Sequence, residues 1–248
     1  IIANKSHPAT TPDEKYQVVR APDLRIDTGL TSKAEVEDVG IRIGTPVVYR
    51  PQVLDLGNRI AGTSVDDRAG CAVLLEVARA LAKRAGGPTV HLVWSVQEEF
   101  NLRGAVVAAQ TLQPDIALQI DLMMNSDTPD LADRAEMVLG GGPGISHYSF
   151  HGRGTLNGVI PHPALVSLFE DAAAAASIPL QHSAQVGVLT DLSYVQLVGQ
   201  GVASLDIGFP MRYSHSSTEM CDPDDLVGLA GLILAALPRI GADFPLNR

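Results

Sequence analysis

The spacing of apolar positions changes character near Gly62. Before it, short apolar runs at residues 16–19, 24–26 and 46–49 alternate with Pro and Gly, and predict short strands and turns. Ser32 and Glu35 form Ser-x-x-Glu, a capping box that predicts one acidic helix near residues 32–40. After Gly62, the apolar residues Val73, Leu74, Val77, Ala80 and Leu81 recur at helical spacing within residues 69–85. Gly86-Gly87-Pro88 stops that helix. Residues 89–96 read as a buried strand, 104–111 as a helix ended before Pro114, and 116–123 as a second strand. An alanine-rich helix at 163–176, a strand at 202–207 and a closing helix at 223–237 follow. This alternation predicts an α/β fold, a sheet covered by helices.

Composition narrows the function classes. With 46% hydrophobic and 19% charged residues, the 248-residue chain buries a core and is not disordered. Its net charge of -10 speaks against a nucleic-acid partner. Cys71 and Cys221 are too few for a disulfide framework; they fit a reducing, cytoplasmic setting as small buried apolar residues. The purest apolar stretch, residues 226–237, is too short for a bilayer, and no basic run followed by an apolar one marks a signal peptide. The first residue is not Met, so the chain is expected to begin inside a longer product.

Acidic groups sit beside the predicted strand ends. Asp66-Asp67 precede the first long helix, Glu98-Glu99 follow the run 89–96, Asp121 closes the strand from Ile116, and His215 follows the strand 202–207 and a short turn at 209–213. Strand carboxyl ends face the ligand crevice of an open α/β sheet. Several carboxylates gathered there need a counter-charge, and a divalent cation or two supplies it. Asp, Glu and His are ligands for zinc and related metals. Within the Glu98-Glu99 doublet one carboxylate can bind metal while its neighbour takes a proton from an activated water. On these residues alone, the bland alternatives remain: a solvated Glu-Glu pair, and Asp66-Asp67 as a helix cap.

Four ordered segments, 64–70 (Ser-Val-Asp-Asp-Arg-Ala-Gly), 96–105 (Val-Gln-Glu-Glu-Phe-Asn-Leu-Arg-Gly-Ala), Ile120-Asp121 with Asp127-Thr128-Pro129, and 212–219 (Arg-Tyr-Ser-His-Ser-Ser-Thr-Glu), resemble the signatures of the tetrahedral (TET) or glutamyl-type dinuclear metalloaminopeptidases, some once labelled endoglucanases. The resemblance covers essentially the whole chain. It implies a mixed sheet sandwiched by helices, a phosphorylase/hydrolase-like metallopeptidase core at residues 56–248. Residues 1–55 then correspond to part of a small β-rich domain inserted in it. It implies two divalent metal ions, zinc or cobalt, a peptide substrate, and a homo-oligomer such as a dimer or dodecamer. Asp66 would bridge the ions, Glu99 and His215 would bind one, Asp121 the other, and Glu98 would be the general base. Asp67 and Arg68 would orient the ligands. The family's further ligand, a His in an early His-x-Asp motif, has no counterpart among these 248 residues. Phe100-Asn101 replaces the Val-Gly of many relatives and is expected to shape a nearby pocket.

Other motifs carry less. Residues 140–144, Gly-Gly-Gly-Pro-Gly, lack the Lys-Ser/Thr of a phosphate loop and read as a turn near the site's rim. No Gly-x-Ser-x-Gly elbow occurs. His91, His147, His151, His162 and His182 show no ligand spacing, although His151 and His162 could line a pocket. Thr190-Asp191 resembles a substrate-side segment of the same family and equally reads as a helix cap. Trp94 reads as core. Two rival functions stay open: a non-catalytic or one-metal scaffold, and a carbohydrate hydrolase with two metal-free carboxylates, which 4% aromatic residues disfavour.

Overall fold

The computed structural model describes residues 2–3, 5–152 and 154–247. The chain divides into two compact units, Ile1–Val48 and Tyr49–Arg248.

In the first unit, β1 (Ile2–Ala3) pairs antiparallel with β2 (Arg25–Ile26). Helix α1 (Lys33–Asp38) starts with the expected capping box, in which Ser32 and Glu35 satisfy each other's backbone N–H groups. Residues 13–16 form a 3₁₀ turn, and neither 17–19 nor 46–49 is a strand. The reason is burial. Among residues 5–48 none is buried, so the short apolar runs have no sheet face to complete.

The second unit holds an eight-stranded mixed sheet. Its strands are β3 (Val53–Asp55), β4 (Ile60–Gly62), β5 (Ile116–Met124), β6 (Gly144–Phe150), β7 (Gly158–Val159), β8 (Gln181–Val186), β9 (Ala203–Arg212) and β10 (Glu219–Cys221). The order is β3-β4-β10-β9-β6-β7, with β5 on β9 and β8 on β6. The β5–β9 and β6–β8 pairs are parallel. β3 pairs with β4, so residues 53–55 belong to this sheet rather than to the first unit, and the division falls ahead of the expected 55/56 break.

Its helices are α2 (Val65–Leu81), α3 (Arg103–Leu112), α4 (Pro163–Ala176), α5 (Leu192–Val195) and α6 (Pro223–Ala236). The period-2 alternation of β5 assigns them to two sides. Ile116, Leu118, Ile120 and Leu122 pack into the main core with Val73 and Val77 of α2, Leu165 and Phe169 of α4, and Leu229 and Leu232 of α6. Each fully buried side chain of this size contributes about 1.5–3 kcal/mol. Ala117 packs with Ala109 of α3 and Leu192 and Val195 of α5 in a smaller cluster. Asp121 shares the parity of Ala117 and so lies on that second face. Opposite it, Gly208 has no side chain, and a Cβ there would come within 2.0 Å of the Asp121 carbonyl oxygen.

Four expectations change. Residues 89–96 lie outside any ladder: Val90 and Leu92 pack on the main core, but no described strand bonds the segment. Trp94, at 44% exposure, is not core. β9 runs on to Arg212 because Phe209 and Met211 continue the buried alternation through the predicted turn. Asp121 sits within β5, which runs three residues further, to Met124. β6 and β8, rich in Ser, His and Gln, carry too little apolar alternation to be read as strands. Among the described residues no helix is long and apolar enough to cross a membrane.

Candidate active site

Helix α2 opens on a kink. Asp66 (φ -76, ψ 109) and Asp67 (φ -117, ψ 48) are non-helical, so their side chains are not committed to the helix surface. Asp67 turns back on the first turn, where its Oδ1 accepts from Gly70 N–H at 3.0 Å. A Cβ at Gly70 would meet that carboxylate at 2.3 Å, so glycine is required for the approach.

Glu98 and Glu99 lie on a tight turn after residues 89–96. Leu102 N–H donates to the Glu98 carbonyl and Gly104 N–H to the Val96 carbonyl. Asn101 has φ 72, a left-handed conformation that Asn tolerates well. Phe100 is exposed, with the Arg103 guanidinium 4.6 Å over its ring. The unusual Phe-Asn pair thus serves the turn and a surface cation–π contact.

His215, on the loop from β9 to β10, completes the group. Its Nε2 lies 3.2 Å from Asp66 Oδ2 and 3.3 Å from Glu99 Oε2. Ligand atoms of Asp66, Glu99 and His215 all fall within 4.8 Å of one another. Glu219 fastens this arrangement. Its buried carboxylate accepts from Asp66 N–H at 3.0 Å and from His215 N–H at 2.8 Å. It closes the segment 212–219 in the sequence, yet only the fold reveals its job. Glu219→Gln keeps one acceptor oxygen for two donors. Leaving one buried N–H unpaired costs about 1–3 kcal/mol, and a cation held by Asp66 and His215 would bind about 10–100-fold more weakly, as for lost orienting partners elsewhere. Thermal melting and metal titration of the variant measure both.

Asp66, Asp67, Glu98, Glu99, Asp121 and Asp191 line one cavity of about 1630 Å³. Burial, then Glu99 and Glu219, push Asp66 up to about 7, while His215 pulls it down. Burial raises Asp67 to about 8, against the Gly70 hydrogen bond and with help from Asp66 and Glu98. Burial, then Glu99, Asp191 and Asp66, raise Glu98 to about 8. Asp121 is raised well above the usual range by burial, then by Asp67, Asp66 and Glu98. Among the described residues none of these carboxylates is ion-paired with Lys or Arg. The donor set is mixed O and N, converging and short of positive charge, which fits a divalent cation.

Asp191 stands at the start of α5 but makes no capping bond. Its Oδ2 accepts from Ser95 Oγ at 3.0 Å, and its buried Oδ1 has no partner among the described residues. It therefore acts on Glu98 as a nearby negative charge rather than as a cap. Of the remaining residues, His91, Trp94 and Cys71 line the same cavity. The 140–144 turn is held by Asp225, which accepts from Gly140 and Gly142 N–H, and Cys71 is only half-buried. His162 is buried, with Nε2 3.2 Å from the Leu246 carbonyl oxygen.

A family profile described as M42 glutamyl aminopeptidase matches residues 1–232. The chain belongs to the M42 family. It is 37% identical over 247 residues to the protein SgcX of Escherichia coli (strain K12), covering 99% of this chain and 66% of that one. It superimposes on a TET aminopeptidase from the marine sediment archaeon Thaumarchaeota archaeon SCGC AB-539-E09 with a TM-score of 0.88 at 31% identity, over 98% of this chain and 67% of that chain. A Pyrococcus horikoshii TET1 peptidase that can assemble into a tetrahedron or a large octahedral shell matches at TM-score 0.79 and 26% identity, over 95% of this chain and 67% of that chain. The chain thus spans about two thirds of the length of these M42 relatives.

Proposed function

We propose that this M42 chain carries most of the active site of a two-metal aminopeptidase that removes N-terminal residues from peptides. The convergence of Asp66, Glu99 and His215, with Glu98 adjacent but outside that trio, carries the reading. Asp66, Glu99 and His215 would hold one divalent ion, zinc or cobalt, and Asp66 with Asp121 would contribute to a second. When bound, such ions lower the pKa of water towards neutrality and polarise the scissile carbonyl. Glu98 takes the proton of the attacking water and returns it to the departing amine. The negative face around Asp121 receives the free α-amino group of the substrate, which confines cleavage to the first residue. Glu219 keeps Asp66 and His215 in place throughout.

Removal of metal is the direct test. A chelator should abolish hydrolysis of amino-acid arylamides, and zinc or cobalt should restore it. Activity that persists in the chelator would discard the reading and favour metal-free carboxylate chemistry. The assembly of the Pyrococcus horikoshii relative supports a homo-oligomer.

A further inference from the structure

A second convergence of metal-type ligands lies on the other face of the sheet. His147 of β6, Glu170 of α4 and His182 of β8 bring ligand atoms within 4.8 Å of one another. His147 Nε2 is 2.8 Å from His182 Nδ1, and that nitrogen is 3.9 Å from Glu170 Oε1. The rings lie side by side, with centroids 5.1 Å apart and planes inclined by 30°. The sequence conceals this group, because the two histidines are 35 positions apart on parallel strands and the acid comes from a helix.

The fold explains how they meet. Ser146 and Ser183 are register partners and line a small polar cavity of about 20 Å³ together with Asp121. Side chains alternate along a strand, so His147 and His182, next in sequence to those serines, point to the opposite face. That face carries α4, whose Leu165 and Phe169 pack in the main core with Ile145. A bulge between Ser146 and Tyr148 leaves His147 without a register partner on β8. It leans instead on His182, the partner of Ile145. Bulges re-aim side chains in this way. Among the described strands β8 bonds to β6 alone, so the group stands at a sheet edge, half-exposed and open to solvent.

We propose that His147, His182 and Glu170 form a further zinc-type site, separate from the active site, that pins helix α4 to the edge strand β8. Two imidazole nitrogens at hydrogen-bond distance share one proton. A divalent ion takes the place of that proton, and the ring that loses it takes up a proton from solvent on its other nitrogen, so both ligands are neutral imidazoles. Tetrahedral zinc sets its ligand nitrogens about 3.3 Å apart, given Zn–N bonds of about 2.0–2.1 Å. The rings need to part by only about half an ångström to reach this, which side chains at a solvent-exposed edge can do. The Glu170 carboxylate supplies the third ligand and one unit of charge. Two imidazoles and one carboxylate suit zinc and the later first-row metals rather than calcium or magnesium, which prefer all-oxygen shells. A cation bound only to the folded state adds stability by mass action.

The test does not depend on the aminopeptidase reading. Metal-stripped protein is dialysed against micromolar Zn²⁺, and bound zinc is counted for the wild type and for His147→Ala, His182→Ala and Glu170→Gln. Each histidine variant should bind one zinc per chain less than the wild type, and Glu170→Gln should weaken that zinc by tenfold or more. In an Asp66→Asn background, Cu²⁺ should give an electron paramagnetic resonance spectrum with two equatorial nitrogens, reduced to one by His182→Ala. Zinc should raise the melting temperature of Asp66→Asn more than that of Asp66→Asn/His182→Ala. Equal zinc counts in the wild type and both histidine variants would overturn the proposal, as would a copper spectrum unchanged by His182→Ala. These substitutions sit on a half-exposed surface, so folding is checked simply by circular dichroism.

Discussion

Glu98→Gln lowers turnover of an amino-acid arylamide by about 10²–10⁴-fold while bound metal stays at the wild-type level. Gln has the size of Glu and keeps a hydrogen-bonding carbonyl, so the turn that holds residue 98 survives. What disappears is a group able to accept and return a proton. Glu98 stands outside the trio of Asp66, Glu99 and His215, which is why its loss should spare metal content. Its environment is that of a base adjusted towards neutrality. Burial and the charges of Glu99, Asp191 and Asp66 push it up to about 8 without metal, and a bound cation would bring it down again. Metal analysis and steady-state kinetics on one preparation decide the matter. Near-normal turnover at full metal content removes Glu98 from the base role, and joint loss of metal and activity makes it a ligand.

The second large effect concerns stability of the metal-free chain against pH. Asp66 titrates near 7 and Asp67 near 8 in the folded chain, both raised from 3.8. A carboxyl raised on folding binds more protons in the native state than in the unfolded chain. Its contribution is complete below pH 4 and drains away as pH rises through 7–8. Metal-free protein should therefore melt lower at about pH 8 than at about pH 5.5, the reverse of a domain whose acids are ion-paired. The carboxylates interact, so their effects do not add. A combined loss of about 3 kcal/mol lowers the melting temperature by on the order of 10 °C. Zinc displaces the protons and relieves the repulsion, so it should restore more stability at pH 8 than at pH 5.5. Calorimetry on chelator-treated protein at both pH values, with and without zinc, measures this. A metal-free melting temperature that is flat or rising with pH contradicts the crowded-carboxylate account.

The legible parts of the sequence were those whose signal is local. Pro163–Ala176 matches its helical period to the residue, and the Ser32–Glu35 box caps a helix as expected. The doublets, Asp121 and His215 were marked out by position next to predicted strands, and the fold gathers Asp66, Glu99 and His215. What stayed hidden depends on partners distant in sequence. Residues 89–96 have the composition of a strand, but a ladder needs a neighbour, and none of the described strands takes that place. Glu219 works through backbone groups of two other segments, which no side-chain pattern encodes. His147 and His182 look unrelated until two parallel strands lie side by side. Ser and Gln strands such as β8 are recognisable only once their polar face is seen to enclose a cavity.

The single carboxylate that grips both the α2 kink and the 213–218 loop links the fates of two chain segments some 150 positions apart. Either segment that swings away leaves an anionic oxygen buried with no donor, so the other is drawn into the same rearrangement. Breathing at this place is then one concerted event rather than two independent ones. The backbone amides of Asp66 and His215 should exchange with deuterium at a common rate, set by how often Glu219 lets go.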